Sequence, residues 1–252
     1  MHRWPSKLWL VQHGESAGNV AREAAHAAGS EDIEIDARDI DVPLSEFGHS
    51  QAAALAHWFA SMAAEHRPEV VLSSPYLRAR DTANAMCGAI KAGSIPGIIA
   101  DERLRKREFG IGDRLTRAGI EQRHPELAAA RRLMGKFYFR PPGGESWCDV
   151  ILCLRGLLDA VSLHYPDKRV LVISHQVVVL CFRYLVEKLD EASIIAIDAE
   201  GDVANCAVTE YGVKRTSEDD TFLKLERYNF LLPLLEEGAP VTTAPDAKVA
   251  AR

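Results

Sequence analysis

The stretch Leu8-Trp9-Leu10-Val11-Gln12-His13-Gly14 decides how the rest of the chain is read. Successive side chains of a strand point to opposite faces, so an unbroken apolar run from Leu8 to Val11 is a strand covered on both sides, and Leu8 to Gln12 is its expected extent. The run stops abruptly at His13-Gly14 and turns toward an Ala-rich segment. The same pattern returns at Arg169-Val170-Leu171-Val172-Ile173-Ser174-His175, where consecutive apolar β-formers are again closed by a histidine.

Working outward, Val42-Pro43-Leu44 precedes a helix that Ser45 is placed to cap, with Ala53, Leu55, Ala56, Phe59 and Met62 at roughly helical spacing. Glu69 to Leu72 is a short β-rich run that ends at Ser73-Ser74-Pro75 and gives way to a helical stretch through Ile90. Ile98 to Ala100 reads as a further strand, Glu145 to His164 and Val177 to Leu189 as helices, and Val203 to Tyr211 and Thr221 to Tyr228 as late strands. Between Asp101 and Gly144 the chain is charged and broken by Gly110, Gly112, Gly119 and Pro141-Pro142-Gly143-Gly144, which predicts a lid-like excursion. From Gly238 the composition predicts a disordered tail, 238–252, after a single domain over 1–237. Strands alternating with helices give the α/β class: a three-layer α/β/α sandwich with a mostly parallel central sheet. Ligands of such sheets sit beyond the carboxyl ends of the strands, where His13 and His175 stand.

Bulk properties narrow the function. With 252 residues, 47% of them hydrophobic, the chain can bury a sizeable core. A formal charge of -6 provides no global positive field for nucleic acid or an anionic membrane, so a phosphate-bearing partner must be gripped locally. Five scattered cysteines with no C-x-x-C pair argue against a disulfide framework or a zinc clasp, and no metal or cofactor is expected. The apolar run at Leu8–Val11 is too short for the core of a signal peptide, and the expected location is the cytoplasm.

The segment from Leu10 to Asn19, with its Gln12-His13-Gly14, resembles the signature of the histidine phosphatase superfamily (phosphoglycerate mutase-like, branch 1), Arg-His-Gly followed by four residues and Asn. The resemblance continues through Asp41-Val42-Pro43-Leu44-Ser45 with Gly48 and Gln51-Ala52, through Ser73 to Ala79 with Thr82-Ala83, and at Gly143-Gly144-Glu145-Ser146 and Val172-Ile173-Ser174-His175. It implies that His13 accepts a phosphoryl group, with Arg78 and His175 as its catalytic companions and Asn19 as an uncharged donor. A neutral, oriented imidazole is a competent covalent catalyst, and phosphoryl transfer needs chiefly alignment and cations around the equatorial oxygens. His175, if protonated, adds a second positive group, and Arg78 a forked, permanent one.

Two positions depart from the pattern. Gln12 replaces the arginine, and within Leu104-Arg105-Lys106-Arg107-Glu108-Phe109-Gly110 the register puts Lys106 where the family presents the glutamate that protonates the leaving oxygen. Lys106 then adds positive charge to the phosphate site. Glu108, two residues on, is a candidate replacement acid: it shares the side of Lys106 in a strand and points elsewhere in a helix.

The reading that follows is a phosphomonoester hydrolase acting through phosphohistidine on a small phosphorylated metabolite or a phosphoprotein, slowed or specialised by Gln12 and Lys106. The alternatives are a phosphate-binding protein that has lost turnover and a phosphoglycerate mutase. The mutase is the poorer match, because the stretch after Gly110 lacks the extended proline-rich insertion such enzymes carry. Selectivity is expected to lie in Ala21 to Asp39 and Leu115 to Arg140.

Overall fold

The computed structural model describes residues 4–90, 97–216 and 221–243. The chain runs β1 (Lys7–Gln12), α1 (Ala17–Ala28), α2 (Glu46–Ser61), β2 (Val70–Ser73), α3 (Leu77–Ala89), β3 (Ile98–Ala100), α4 (Arg117–Arg123), α5 (Pro125–Tyr138), α6 (Trp147–His164), β4 (Arg169–Ser174), α7 (Gln176–Val186), α8 (Glu191–Glu200), β5 (Val208–Arg215), β6 (Thr221–Phe230) and α9 (Leu232–Glu236).

The strands form one six-stranded sheet in the order β3-β2-β4-β1-β5-β6. The first four are parallel, and β5 and β6 extend the sheet as antiparallel neighbours. The alternation of side chains across β1 and β4 builds the two outer layers. Leu8, Leu10, Val170 and Val172 face α6 and α7 in one apolar cluster, while Trp9, Val11, Leu171 and Ile173 face α2 and α3 in the other. Phe59 and Leu154, one from each helical layer, are completely buried, and each such side chain contributes roughly 1.5–3 kcal/mol relative to exposure. The expected sandwich is present.

Register sets where the site falls. Gln12 lies opposite Ser174 and Ser73 opposite Ile173, so β1, β4 and β2 end at one level. The His13 amide donates to the Ser174 carbonyl at 2.9 Å and the Ser74 amide to the Ile173 carbonyl at 2.9 Å, which carries the ladder one residue past each strand.

Local rules account for most element ends. Ser45 caps α2 by accepting from the Gly48 amide at 3.0 Å, and its hydroxyl donates to Glu15 at 2.6 Å. Gly48 is required by contact: a Cβ there would lie 1.9 Å from the Glu15 carbonyl oxygen. Helix α6 begins at Trp147, two residues later than the sequence suggests, because Ser146 and Asp149 form a capping box. The first late strand starts at Val208 instead of Val203, since 203–207 turns through Cys206 at φ +56 and covers His13.

The excursion over 101–144 carries two helices, α4 and α5, and irregular turns. Gly110 anchors its return with φ +57, and a Cβ would meet the Pro142 carbonyl oxygen at 2.1 Å. The predicted tail needs correction over 238–243. Gln51 Nε2 donates to the Pro240 carbonyl and to Thr242 Oγ1, the Asn205 amide donates to the Thr242 carbonyl, and Thr243 bridges Ala204. The buried amide of Gln51 needs partners, and this strap provides them. The rest of the expected tail, 244–252, lies outside the described residues.

Candidate active site

Beyond the level ends of β1, β2 and β4 lies an open cleft, lined by Gln12, His13, Asn19, Arg78, Lys106 and His175 among others. Six of the seven residues singled out from sequence therefore meet in one place. Glu108 is the exception.

His13 is buried, and its Nδ1 lies 2.7 Å from the Gly14 carbonyl oxygen. A carbonyl accepts only, so Nδ1 carries the proton and Nε2 keeps its lone pair. Arg78 Nε–H donates to that Nε2 at 3.2 Å, which places a permanent cation at the unprotonated ring nitrogen. Burial, and then the Arg78 charge, lower the His13 pKa to about 3, so the ring is neutral across the physiological range.

The loop that holds His13 is braced from several sides. The Gly14 amide donates to Thr82 Oγ1, the Glu15 amide to Gln51 Oε1, and Asn205 Nδ2 to the His13 carbonyl. Thr242 joins Asn205 to Gln51, so the strap at 240–242 supports the His13 backbone.

His175 stands edge-on to His13, with ring centroids 5.1 Å apart and planes at 69°. Its Nε2 is 2.9 Å from Ser74 Oγ, which itself accepts from the Tyr76 amide. The serine proton is thus available to Nε2, and the imidazole then carries its own on Nδ1, an atom that is buried and without a partner among the described residues. Burial, followed by the charge of Arg78, pushes the His175 pKa well below its ordinary value. The condition under which His175 would add a second positive group is therefore not met in this geometry: the ring is buried with Arg78 nearby, and a second cation in that volume is unfavourable without an anion beside it.

Arg78 and Lys106 are joined by a residue that sequence reading missed. Arg78 Nη1 donates to the Asp39 carbonyl at 2.6 Å and lies 3.2 Å from its carboxylate, and Lys106 Nζ donates to Asp39 Oδ2 at 2.6 Å. Despite partial burial, which opposes it, the charges of Lys106 and Arg78 hold the Asp39 carboxyl below the usual range. Burial lowers the Lys106 pKa, with Asp39 acting against that shift. No local signal distinguished Asp39 from Asp36 or Asp41, because the pairing spans 39 residues to Arg78 and 67 to Lys106.

Glu108 does not line the cleft. Its carboxylate accepts the Tyr76 hydroxyl at 2.6 Å, and it borders a separate surface depression with Arg105 and Arg140. The Leu104–Gly110 segment is neither strand nor helix beyond its two short turns, so the two-residue alternation that would have aligned Glu108 with Lys106 does not operate.

Gln12 and Asn19 take different parts. Gln12 is 1% exposed, and its Oε1 has no partner among the described residues; reversing the nearly isosteric amide would present two donors to the cleft. Asn19 Oδ1 accepts from the Ser16 amide and hydroxyl in the capping box of α1, which leaves only its amide nitrogen as a donor to a ligand. The N-termini of α1 and α7 both border the cleft through Asn19, Gln176 and their neighbours, and aligned peptide dipoles favour an anion there.

Arg22, Arg78, Lys106, Arg107 and Arg114 line this cleft against Asp39 and Asp113 alone, in a chain of net charge -6. Positive charge is concentrated where two neutral imidazoles meet, an arrangement complementary to an anion.

The sequence profile of the histidine phosphatase superfamily (branch 1) matches residues 8–221, and the chain belongs to that family. It is 28% identical over 207 residues to a bifunctional protein of Mycobacterium tuberculosis, covering 82% of this chain and 50% of that protein. It is 30% identical over 184 residues to a 6-phosphofructo-2-kinase/fructose-2,6-bisphosphatase of Caenorhabditis elegans, covering 72% of this chain and 34% of the other. The chain thus spans about half the length, or less, of these curated relatives. Among solved structures, the mycobacterial glucosyl-3-phosphoglycerate phosphatase superposes with a TM-score of 0.68 at 25% identity, covering 89% of this chain and 99% of that one. No helix among the described residues is long and apolar enough to cross a membrane.

Proposed function

We propose that the protein is a phosphomonoesterase that works through a phosphohistidine on a small phosphorylated metabolite. The observation that carries this reading is the contact between Arg78 Nε and the unprotonated Nε2 of a buried, neutral His13, with the His175 ring 5.1 Å away. His13 Nε2 attacks phosphorus as the ester P–O bond breaks and the leaving alkoxide takes a proton. Water then attacks phosphorus as the P–N bond breaks; its proton passes to the departing phosphate or to solvent, the electron pair returns to Nε2, and inorganic phosphate leaves. Arg78 and the donors of the two helix N-termini receive the equatorial oxygens, and His175 gains basicity as the dianion settles beside it. Relatives named for glucosyl-3-phosphoglycerate and fructose 2,6-bisphosphate support a metabolite in place of a phosphoprotein.

Proton delivery to the leaving oxygen is the weak step. Asp39, held ionised by its two cations, is a poor acid, and Lys106 occupies the place of the family's glutamate. Aryl and acyl phosphates, whose leaving groups need little protonation, should therefore be cleaved far faster than alkyl phosphates. The test is phosphate release from paired aryl and alkyl esters by the wild-type protein and by His13→Ala, with acid-labile phosphohistidine trapped by rapid quench. Absence of both phosphate release and the labile adduct in the wild-type protein would defeat the proposal.

A second reading, a phosphate-ligand binder without turnover, draws on one observation: the Lys106–Asp39 ion pair stands where an acid is needed. Calorimetric affinity for inorganic phosphate together with no turnover of any aryl ester would favour it, and absence of affinity would remove it.

A further inference from the structure

A free histidine in water favours the tautomer with its proton on Nε2, whereas His13 carries the proton on Nδ1 and turns a bare Nε2 to Arg78. The hydrogen bonds around 13–15 hold it in that form. The acceptor for Nδ1–H is the Gly14 carbonyl, which shares one planar peptide unit with the Glu15 amide. In a trans peptide the carbonyl and the amide point in opposite directions, so the group that holds the amide also aims the carbonyl. That group is Gln51, whose Oε1 accepts from the Glu15 amide at 2.8 Å.

Gln51 is completely buried, and α2 carries it hard against this loop: a Cβ on Gly14 would lie 2.6 Å from the Gly48 carbonyl oxygen. A carboxamide can stand two ways round, with either its oxygen or its NH2 group toward Glu15. The strap at 240–242 selects the first. Both Nε2 protons of Gln51 have acceptors there, the Pro240 carbonyl at 2.9 Å and Thr242 Oγ1 at 2.7 Å. A reversed amide would set oxygen against the Pro240 carbonyl and NH2 against the Glu15 amide, leaving buried groups unpaired. The Thr242 hydroxyl donates onward to Asn205 Oδ1 at 3.0 Å, and Asn205 Nδ2 then meets the His13 carbonyl at 3.0 Å. The peptides on both sides of Gly14 are therefore tied to one strap.

We propose that segment 240–242, acting through Gln51 and Asn205, is a positioning device that fixes the tautomer and orientation of the His13 imidazole. Arg78 selects the same tautomer from the far side of the ring, because its Nε–H would face a second N–H if the proton moved to Nε2. The consequence for turnover rests on the phosphatase reading, while the tautomer and its hydrogen bond can be measured without turnover.

The experiment is nitrogen and proton NMR of the full chain carrying isotope-labelled histidine, which reads the His13 tautomer and the exchange of its Nδ1–H with solvent; His13→Asn assigns the signal. Gln51→Met removes both roles of the carboxamide, and should speed that exchange about tenfold and raise the share of the Nε2–H tautomer. Thr242→Val keeps the shape and loses the hydroxyl; it should speed exchange about threefold, and Thr242→Ser should restore the wild-type value. Val241→Ser, exposed on the strap, should change nothing. Amide exchange along the β4 ladder should stay constant across the series, which separates positioning from general loosening. If Gln51→Met does not fold, Thr242→Val and its serine rescue carry the test. A wild-type ring protonated on Nε2, an Nδ1–H that is unmoved in Thr242→Val and in any folded Gln51→Met, or a β4 ladder that loosens in step with it overturns the inference. Phenyl phosphate hydrolysis is scored separately. A fall in kcat of up to about tenfold in Gln51→Met at unchanged KM links the strap to catalysis. No turnover in the wild-type protein alongside the NMR response removes the phosphatase reading and leaves the strap's role standing.

Discussion

The carboxyl ends of β1, β2 and β4 and the irregular segment from Leu104 to Gly110 border the same region, yet different forces hold their side chains. At the strand ends, sheet register puts His13, Ser74 and His175 at one level, and the inter-strand ladder continues one residue beyond the strands. Along 104–110 no ladder operates, and each charged side chain takes the partner that tertiary packing offers: Lys106 takes Asp39 and Glu108 takes Tyr76. The difference teaches that a position fixed by backbone pairing can be anticipated from a motif, while one fixed by a side-chain partner can be re-aimed by a single change of charge.

The sharpest way to break this contrast is at the strand ends. His13→Ala should lower aryl phosphate turnover by about 10⁴-fold or more, as removal of a nucleophile does elsewhere; steady-state rates retained within tenfold would show that the strand-end geometry is incidental. Arg78→Lys keeps the charge but loses the fork, and should cost about 10²- to 10³-fold in kcat. Circular dichroism must show the variant folded, because Arg78 is buried and ties His13 to Asp39.

On the irregular segment the expected change has the opposite sign. Lys106→Glu sets a carboxyl beside Asp39, whose like charge raises the new group's pKa toward the operating pH. Paired with Gln12→Arg, it should speed alkyl phosphate hydrolysis by about tenfold or more while aryl esters gain much less. Equal gains for both ester classes would show that the pair repairs phosphate binding instead of proton delivery.

A pH series tests the neutral histidine. The folded His13 titrates near 3 and the unfolded imidazole near 6.5, so between those values the unfolded chain holds a proton that the folded chain lacks. Falling pH therefore favours unfolding, and His13 withdraws stability progressively as pH drops from about 6.5 toward 3. His13→Asn should reduce the slope of denaturation free energy against pH in that window by up to about 1.4 kcal/mol per pH unit. An unchanged slope would mean that the ring is charged in the folded protein.

The smallest effect belongs to Glu108→Gln, which should change kcat for alkyl phosphates by less than about twofold, since a general acid would contribute at least 10²-fold. A larger loss would return Glu108 to the cleft and erase the contrast between the two regions.

Much of this architecture could be read from local pattern. Unbroken apolar runs announced buried parallel strands, Ser45 announced its helix, and the strand-closing histidines announced the site. What escaped depended on long-range pairing. Composition predicted that the chain would lose order from Gly238, yet Gln51 and Asn205 need partners that Pro240 and Thr242 supply across the fold. Likewise the sequence of α8, Glu191-Ala192-Ser193-Ile194-Ile195-Ala196-Ile197, has no marked amphipathic period, and the helix is sorted by the buried Ile194 with Ile195 and Ile197 packed partly buried against the same cluster.

The sequence was enough for the layers, the parallel core of the sheet and the two histidines, because these follow from side-chain periodicity and from residues adjacent to strand ends, whereas Arg78, inside α3, was singled out by the resemblance of its motif. Tertiary structure alone decided that Asp39 would clamp Arg78 to Lys106 and that Glu108 would turn to Tyr76. The physical reason is range. Periodicity acts over a few residues, whereas ion pairs and cavity walls join segments tens of residues apart and exist only once the backbone has brought them together.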